Sequence, residues 1–115
     1  MEHRASPRTN TDLLVEIISP CGDRAAGRIK NLSLLGVFIS SNPDPYRLYQ
    51  SLTVLVHLAD AVYTLKGQIV RKQANGIALE LEASAASYHQ SSGLLRAVKQ
   101  EMTEEQSMKG RIVNQ

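Results

Sequence analysis

Six short runs rich in apolar and β-branched residues, set at close to regular spacing and bounded by turn residues, constrain the fold of this chain most. They are "DLLVEIIS" (12–19), "RAAGRIKNLS" (24–33), "GVFIS" (36–40), "LTVLVHLA" (52–59), "VYTLKGQIVRKQ" (62–73) and "IALELE" (77–82). Runs of this kind with turn signals at both ends read as strands. The last alternates apolar and charged residues as a half-buried strand does, with Glu80 and Glu82 on its solvated face. Pro20-Cys21-Gly22-Asp23, Asp60-Ala61 and Asn75-Gly76 predict tight turns, the last of type I′, whose two central residues both need φ > 0. Gly27 marks a bulge or bend in the weaker second run. In the fifth run Val62, Leu65, Ile69 and Val70 supply the apolar content, while "SNPDPYRLYQ" (41–50), with two prolines, reads as a long connection.

Strands joined by short links and followed by a single helical segment argue against alternating βαβ units. The prediction is a mainly β fold, a six-stranded antiparallel β-barrel over residues 12–83. A polar leader (1–11), mobile when nothing holds it, precedes the barrel, and a C-terminal α-helix and tail (84–115) follow it. Beyond Ser84 the apolar period becomes helical: Leu94, Leu95, Val98 and Met102 share a stripe from which Lys99, Gln100, Glu104 and Glu105 face away. The helix is expected over 94–107, with an earlier segment from Ala85 that Gly93 interrupts and "KGRIVNQ" (109–115) as a frayed tail. A lone stripe of this kind packs on its own barrel more readily than on a partner.

Composition narrows the function classes. At 115 residues the chain holds one domain, and 13 basic against 11 acidic residues leave a net charge of only +2, so any anion site must be local. A barrel that stacks single-stranded nucleic acid needs aromatic platforms and a basic groove. One Phe, no Trp and that small charge offer neither, so no nucleic-acid polymer is expected as a partner. Cys21 is the only cysteine, which excludes a disulfide within the chain and favours a reducing compartment. With no apolar leader and no run near the ~20 apolar residues of a membrane span, the chain reads as soluble, cytoplasmic and not inserted in a membrane. His3, His57 and His89 lie far apart in sequence, and no HxxxH, CxxC or GxSxG spacing occurs. No catalytic residue, metal or cofactor is expected, so the chain reads as a binding protein rather than an enzyme.

Two stretches stand out. "HRASPR" (3–8) places Arg4 and Arg8 four residues apart around Pro7, ahead of the first strand. The spacing alone is weak in a chain of eight arginines, because Arg24 and Arg28 in "RAAGR" repeat it. "NLSLLG" (31–36) places Asn31, Ser33 and Gly36 at the junction of the second and third strands. Asn31 carries amide donors and an acceptor, Ser33 a hydroxyl, and Gly36 permits a close approach of backbone. A plainer reading takes the arginines as solvated charges, Asn31 to Ser33 as turn residues bonding local backbone, and Gly36 as a bulge glycine.

Taken together, in this order and on a barrel, "RASPR" and "NLSLLG" resemble the PilZ family, whose marks are RxxxR ahead of the barrel and (D/N)xSxxG on it. The resemblance runs from residue 4 to about 82 and includes "NGIALEL", and a C-terminal helix is common in the family. It implies a bacterial receptor for cyclic di-GMP in which Arg4 and Arg8 clamp phosphate and guanine while Asn31, Ser33 and Gly36 form the barrel's side of the pocket. Arginine suits both tasks, since its planar fork bonds a phosphate or the Hoogsteen edge of guanine bidentately and its face stacks on a base. The resemblance also suggests Arg71 as a base-stacking side chain. His3, where relatives often carry an arginine, leaves open whether one ligand or a stacked pair binds. The implied mechanism is a leader that orders over the ligand and so changes the surface shown to a downstream protein partner. The alternative is a PilZ-fold protein-interaction adaptor that does not bind nucleotide.

Overall fold

The computed structural model describes residues 8–113, with side chains as far as residue 101. It contains six strands, β1 (Thr9–Ile18), β2 (Arg24–Leu32), β3 (Gly36–Ser40), β4 (Ser51–Leu58), β5 (Ala61–Gln73) and β6 (Gly76–Leu81), followed by one helix, α1 (Ala85–Val113). The strands close into a barrel in the order β1-β2-β3-β6-β5-β4, every pair antiparallel. Closure leaves no sheet edge to pair with another chain. Alternation then decides the core: Val15 and Ile17, Val37 and Ile39, Leu52, Val54 and Val56, and Ile77, Leu79 and Leu81 all point inward and are buried.

β1 starts at Thr9, three residues ahead of the expected Asp12, because Thr9 and Asn10 pair with Leu32 and Asn31 and the Thr11 hydroxyl donates to the Ile29 carbonyl at 2.6 Å. Two turns differ from expectation by one residue. The β4–β5 link is Ala59-Asp60, closed by the Leu58 and Ala61 pair, with Ala59 at φ 55°. The β5–β6 link is Ala74-Asn75, neither with positive φ, so it is not the type I′ turn expected at Asn75-Gly76. Gly76 lies instead inside β6, where a Cβ would run into the Ile39 carbonyl and the Phe38 ring, so close strand packing and not turn geometry requires the glycine there. Of the apolar residues of the fifth run, Val62 and Val70 face solvent with 54% and 43% of their surface exposed, while Leu65 and Ile69 are buried.

The connection of residues 41–50 crosses from β3 to β4 past β6 and β5. It contributes Tyr46 to the core and is tied down by Lys72 Nζ on the Tyr46 carbonyl (2.7 Å), Tyr49 N–H on the Ile69 carbonyl (2.6 Å) and Ile69 N–H on the Gln50 carbonyl (3.0 Å). α1 is continuous from Ala85 and is not interrupted at Gly93, which sits against the Tyr63 ring where a Cβ would come to 3.3 Å. Its backbone stays helical to Val113, beyond the expected end at 107 and into the segment expected to fray, where no proline stops it. Ser84 caps it by accepting the Ser87 N–H at 3.1 Å. Leu94 and Val98 enter the core, Ser91 Oγ donates to the Leu34 carbonyl (3.1 Å), and Gln90 Oε1 accepts the Thr64 N–H (2.9 Å), so the helix covers its own barrel. The side chain of Met102, expected on the same stripe, lies outside the described residues.

Burial raises the Tyr46 phenol above its ordinary value of 10.0. Below pH 10 both states hold that proton equally. Above it the unfolded chain ionises first, and the stability Tyr46 contributes is lost as the pH climbs through the folded value. Thermal melts from pH 9 upward are therefore expected to show a steeper alkaline loss in the unsubstituted chain than in Tyr46→Phe, and parallel curves would refute the assignment.

Candidate functional site

Inward residues fall on odd numbers in both β2 (Gly27, Ile29) and β5 (Leu65, Gly67, Ile69). Strict alternation would carry Asn31 and Arg71 into the core. It fails at both places, because the register with the neighbouring strand shifts between Ile29 and Asn31 and again between Ile69 and Arg71. Lys30 and Val70 are the inserted residues of two β-bulges, each of which adds one residue and reverses the faces beyond it. Leu32 therefore turns inward and is fully buried, while Asn31 and Arg71 turn outward.

The pairings then align one row across four strands, Asn31 on β2, Phe38 on β3, Ala78 on β6 and Arg71 on β5. The adjacent row holds Gly36, Glu80 and Gln68. Gly36 and Ala78 leave a depression between larger neighbours, and the resulting cleft of about 230 Å³ is lined by Arg8, Asn31, Ser33, Gly36, Phe38, Val70, Arg71, Ala78 and Glu80 among others. Gly36 could not carry a side chain without crowding, since a Cβ there would stand 3.0 Å from the Leu79 carbonyl.

Ser33 shapes the rim. Its N–H donates to the Gly36 carbonyl (2.9 Å), its Oγ accepts the N–H groups of Gly36 (3.1 Å) and Leu35 (3.3 Å), and the hydroxyl stands 3.2 Å from the Gly36 carbonyl it can donate to. The side chain is thus spent on the turn that joins β2 to β3, which the Leu81 N–H ties to β6 through the Leu35 carbonyl (2.9 Å). Thr9 opposite Leu32 places Arg8 across from Ser33 at the mouth of the cleft.

Of the residues singled out in the sequence, Arg8, Asn31, Ser33, Gly36 and Arg71 line this one cleft, and Arg4 and His3 lie outside the described residues. The second RxxxR pair behaves differently. Arg24 bonds Glu16 at 2.8 Å, and Arg28 (3.5 Å) shares Asp12 with Lys30 (2.8 Å). The Lys30 hydrogen bond is the main reason the Asp12 carboxyl is held below its ordinary range. Among the described residues neither Arg8 nor Arg71 has a carboxylate partner, so both guanidinium groups are available to an anion. A larger open groove of about 830 Å³ on the far side of Glu80 has Lys66 as its cation but also Glu82, which makes it the poorer anion site. Phe38, Ala78 and Glu80 were not legible as site residues, because only the β3–β6 pairing brings them beside Asn31 and Arg71. Among the described residues no three His, Cys, Asp or Glu side chains converge as a metal site would need, and no helix is long and apolar enough to cross a membrane.

The family model of the PilZ domain matches residues 2–100. No curated protein sequence matches the chain. Among solved structures it resembles the PilZ domain of CeSA from a cellulose-synthesizing bacterium (18% identity, TM-score 0.71, 82% of this chain and 99% of that one). It also resembles the PilZ domain of YcgR from Escherichia coli with c-di-GMP (12% identity, TM-score 0.74, 92% and 98%). A third likeness is to the K. pneumonia MrkH–c-di-GMP complex (14% identity, TM-score 0.69, 91% of this chain and 56% of that one). At these identities the structures speak for the fold.

Removing the Ser33 hydroxyl strands the N–H groups of Leu35 and Gly36 at the rim. Ser33→Ala is expected to cost about 1–2 kcal/mol of folding stability, read as an earlier midpoint in a urea titration. A midpoint unchanged from the parent would show that water serves the turn equally well.

Proposed function

We propose, from the premise that this chain belongs to the PilZ domain family, that it is a cyclic di-GMP receptor that works by binding rather than by catalysis. The observation that carries this reading is the pair of guanidinium groups without carboxylate partners among the described residues, Arg8 and Arg71, facing one cleft with Asn31 over a floor of Gly36 and Ala78. The ligand presents two phosphates and two guanines. Arg8 would bond phosphate or the N7/O6 edge of a guanine, Arg71 would stack on or fork to a base, and Asn31 would add amide donors at the wall. Ser33 serves by holding the rim, and Gly36 by leaving room.

The cleft measures about 230 Å³, below the ~300–1,000 Å³ of pockets that enclose a drug-sized ligand. A dinucleotide would overfill it, so the barrel supplies one side of the site and the segment ahead of β1, with Arg4 and His3, supplies the other. Arg4 would then pair with Arg8 as a clamp, and His3 would bear on whether one ligand or a stacked pair is held. Ordering that segment over the ligand changes the surface next to β1, and a downstream protein would read the change. A bacterial, cytoplasmic setting fits a receptor of this kind.

Calorimetry with cyclic di-GMP tests the reading. Arg8→Ala and Arg71→Ala are each expected to weaken binding by about tenfold or more, as loss of a bidentate contact does. Arg24→Ala and Arg28→Ala, whose partners are Glu16 and Asp12, should stay within about twofold, because exposed ion pairs contribute little. No heat at high micromolar ligand would overturn the proposal. Capture of the same partner protein with and without ligand would separate the receptor from an adaptor indifferent to nucleotide.

A further inference from the structure

Glu80 is a carboxylate in a cleft whose other charged side chains are arginines. It pairs with Gly36 on one side and Gln68 on the other, neither of which can neutralise it, and among the described residues it forms no ion pair. A phosphate would be repelled there. Repulsion alone is a poor use of a position that looks onto the floor of the site, and the chemistry of the group suggests a different occupant.

An ionised carboxylate only accepts hydrogen bonds. Guanine carries two adjacent donors on its Watson–Crick edge, N1–H and the exocyclic N2 amine, and a carboxylate meets both at once. Adenine presents an acceptor at N1 and no 2-amino group, so the same carboxylate faces a lone pair. Geometry places Glu80 suitably for this role. Arg71 pairs with Ala78, and Glu80 stands two residues further along β6 on the same outer face, which makes the two diagonal neighbours, about 7–8 Å apart. That separation is close to the width of a purine, so a base lying over Ala78 could offer its O6/N7 edge to the Arg71 fork and its N1/N2 edge to Glu80.

Resting on the receptor reading above, we infer that Glu80 is a specificity-determining residue that selects guanine over other purines by accepting N1–H and N2–H from a base held against Arg71. The assignment explains why a site for a dianion keeps an acidic wall, since its carboxylate is directed at the base and the arginines at the phosphates.

The test uses the full chain and three probes, cyclic di-GMP, cyclic di-AMP and cyclic di-IMP, the last differing from the first only by the missing 2-amino groups. Glu80 is exposed, so Glu80→Ala should fold, which its melting curve verifies. The unsubstituted chain is expected to prefer cyclic di-GMP over cyclic di-IMP by about tenfold, and Glu80→Ala to bring the two within about twofold. Glu80→Gln, which keeps one acceptor, should fall between. An undiminished guanine preference in Glu80→Ala overturns the inference while leaving the receptor reading intact. Equal tightening of all three ligands would also overturn it, reducing Glu80 to a repulsive charge. Failure of the unsubstituted chain to bind any of the three overturns the receptor reading and this inference with it.

Discussion

Strand side chains alternate with a period of two, and a closed barrel allows no slip in that period without sending a polar residue into the core. The places of Asn31 and Arg71 in the cleft depend on where this chain breaks the rule. One inserted residue at Lys30 and another at Val70 reverse the faces of β2 and β5. Leu32 joins the core, and Asn31 and Arg71 come out of it onto the same side of the barrel. Without the bulges an arginine would sit desolvated among Leu79, Ile69 and their neighbours, at a cost no core of this size could absorb. The two irregularities are thus part of how the site is built.

Charge is sorted with the same economy. The chain carries an excess of only two cations, and the cations on the outer face of β1 and β2 are met by Glu16 and Asp12. At the cleft, by contrast, Arg8 and Arg71 have no carboxylate partner among the described residues. Spacing cannot distinguish the two RxxxR stretches, but their partners can. Arg24 and Arg28 lie within β2 opposite Ile18 and Leu14, diagonal to Glu16 and Asp12, which they bond, whereas Arg8 precedes the ladder and faces the rim that Ser33 holds in shape.

Most of the barrel was legible in the sequence because its signals are local. Six runs, their turn residues and the helical stripe at Leu94 and Val98 each depend on a few neighbouring residues. What escaped was non-local. The turn at Ala74-Asn75 is one residue away from the Asn-Gly pair because Gly76 is claimed by a backbone on another strand. Val62 and Val70 count as apolar in any window, yet the face of β5 they occupy is exposed. Asn31, Ser33 and Gly36 were found through a motif and Arg71 through a family habit. Glu80, Phe38 and Ala78 needed the β3–β6 register, which no short stretch encodes. A parity clue was present all the same: Ile29 and Leu32 are three apart, so both can face inward only if the strand between them is bulged.

The bulge at Val70 is anchored on both sides. Ile69, just before it, exchanges backbone hydrogen bonds with Tyr49 and Gln50, and Lys72, just after Arg71, reaches the Tyr46 carbonyl. The connection of residues 41–50 therefore clasps β5 on both sides of Arg71, with Tyr46 buried beneath as its anchor. A side chain launched from such a support starts near its binding position and loses little freedom when it engages a base. On the receptor reading, the barrel half of the site is therefore preorganised around Arg71 before any ligand arrives.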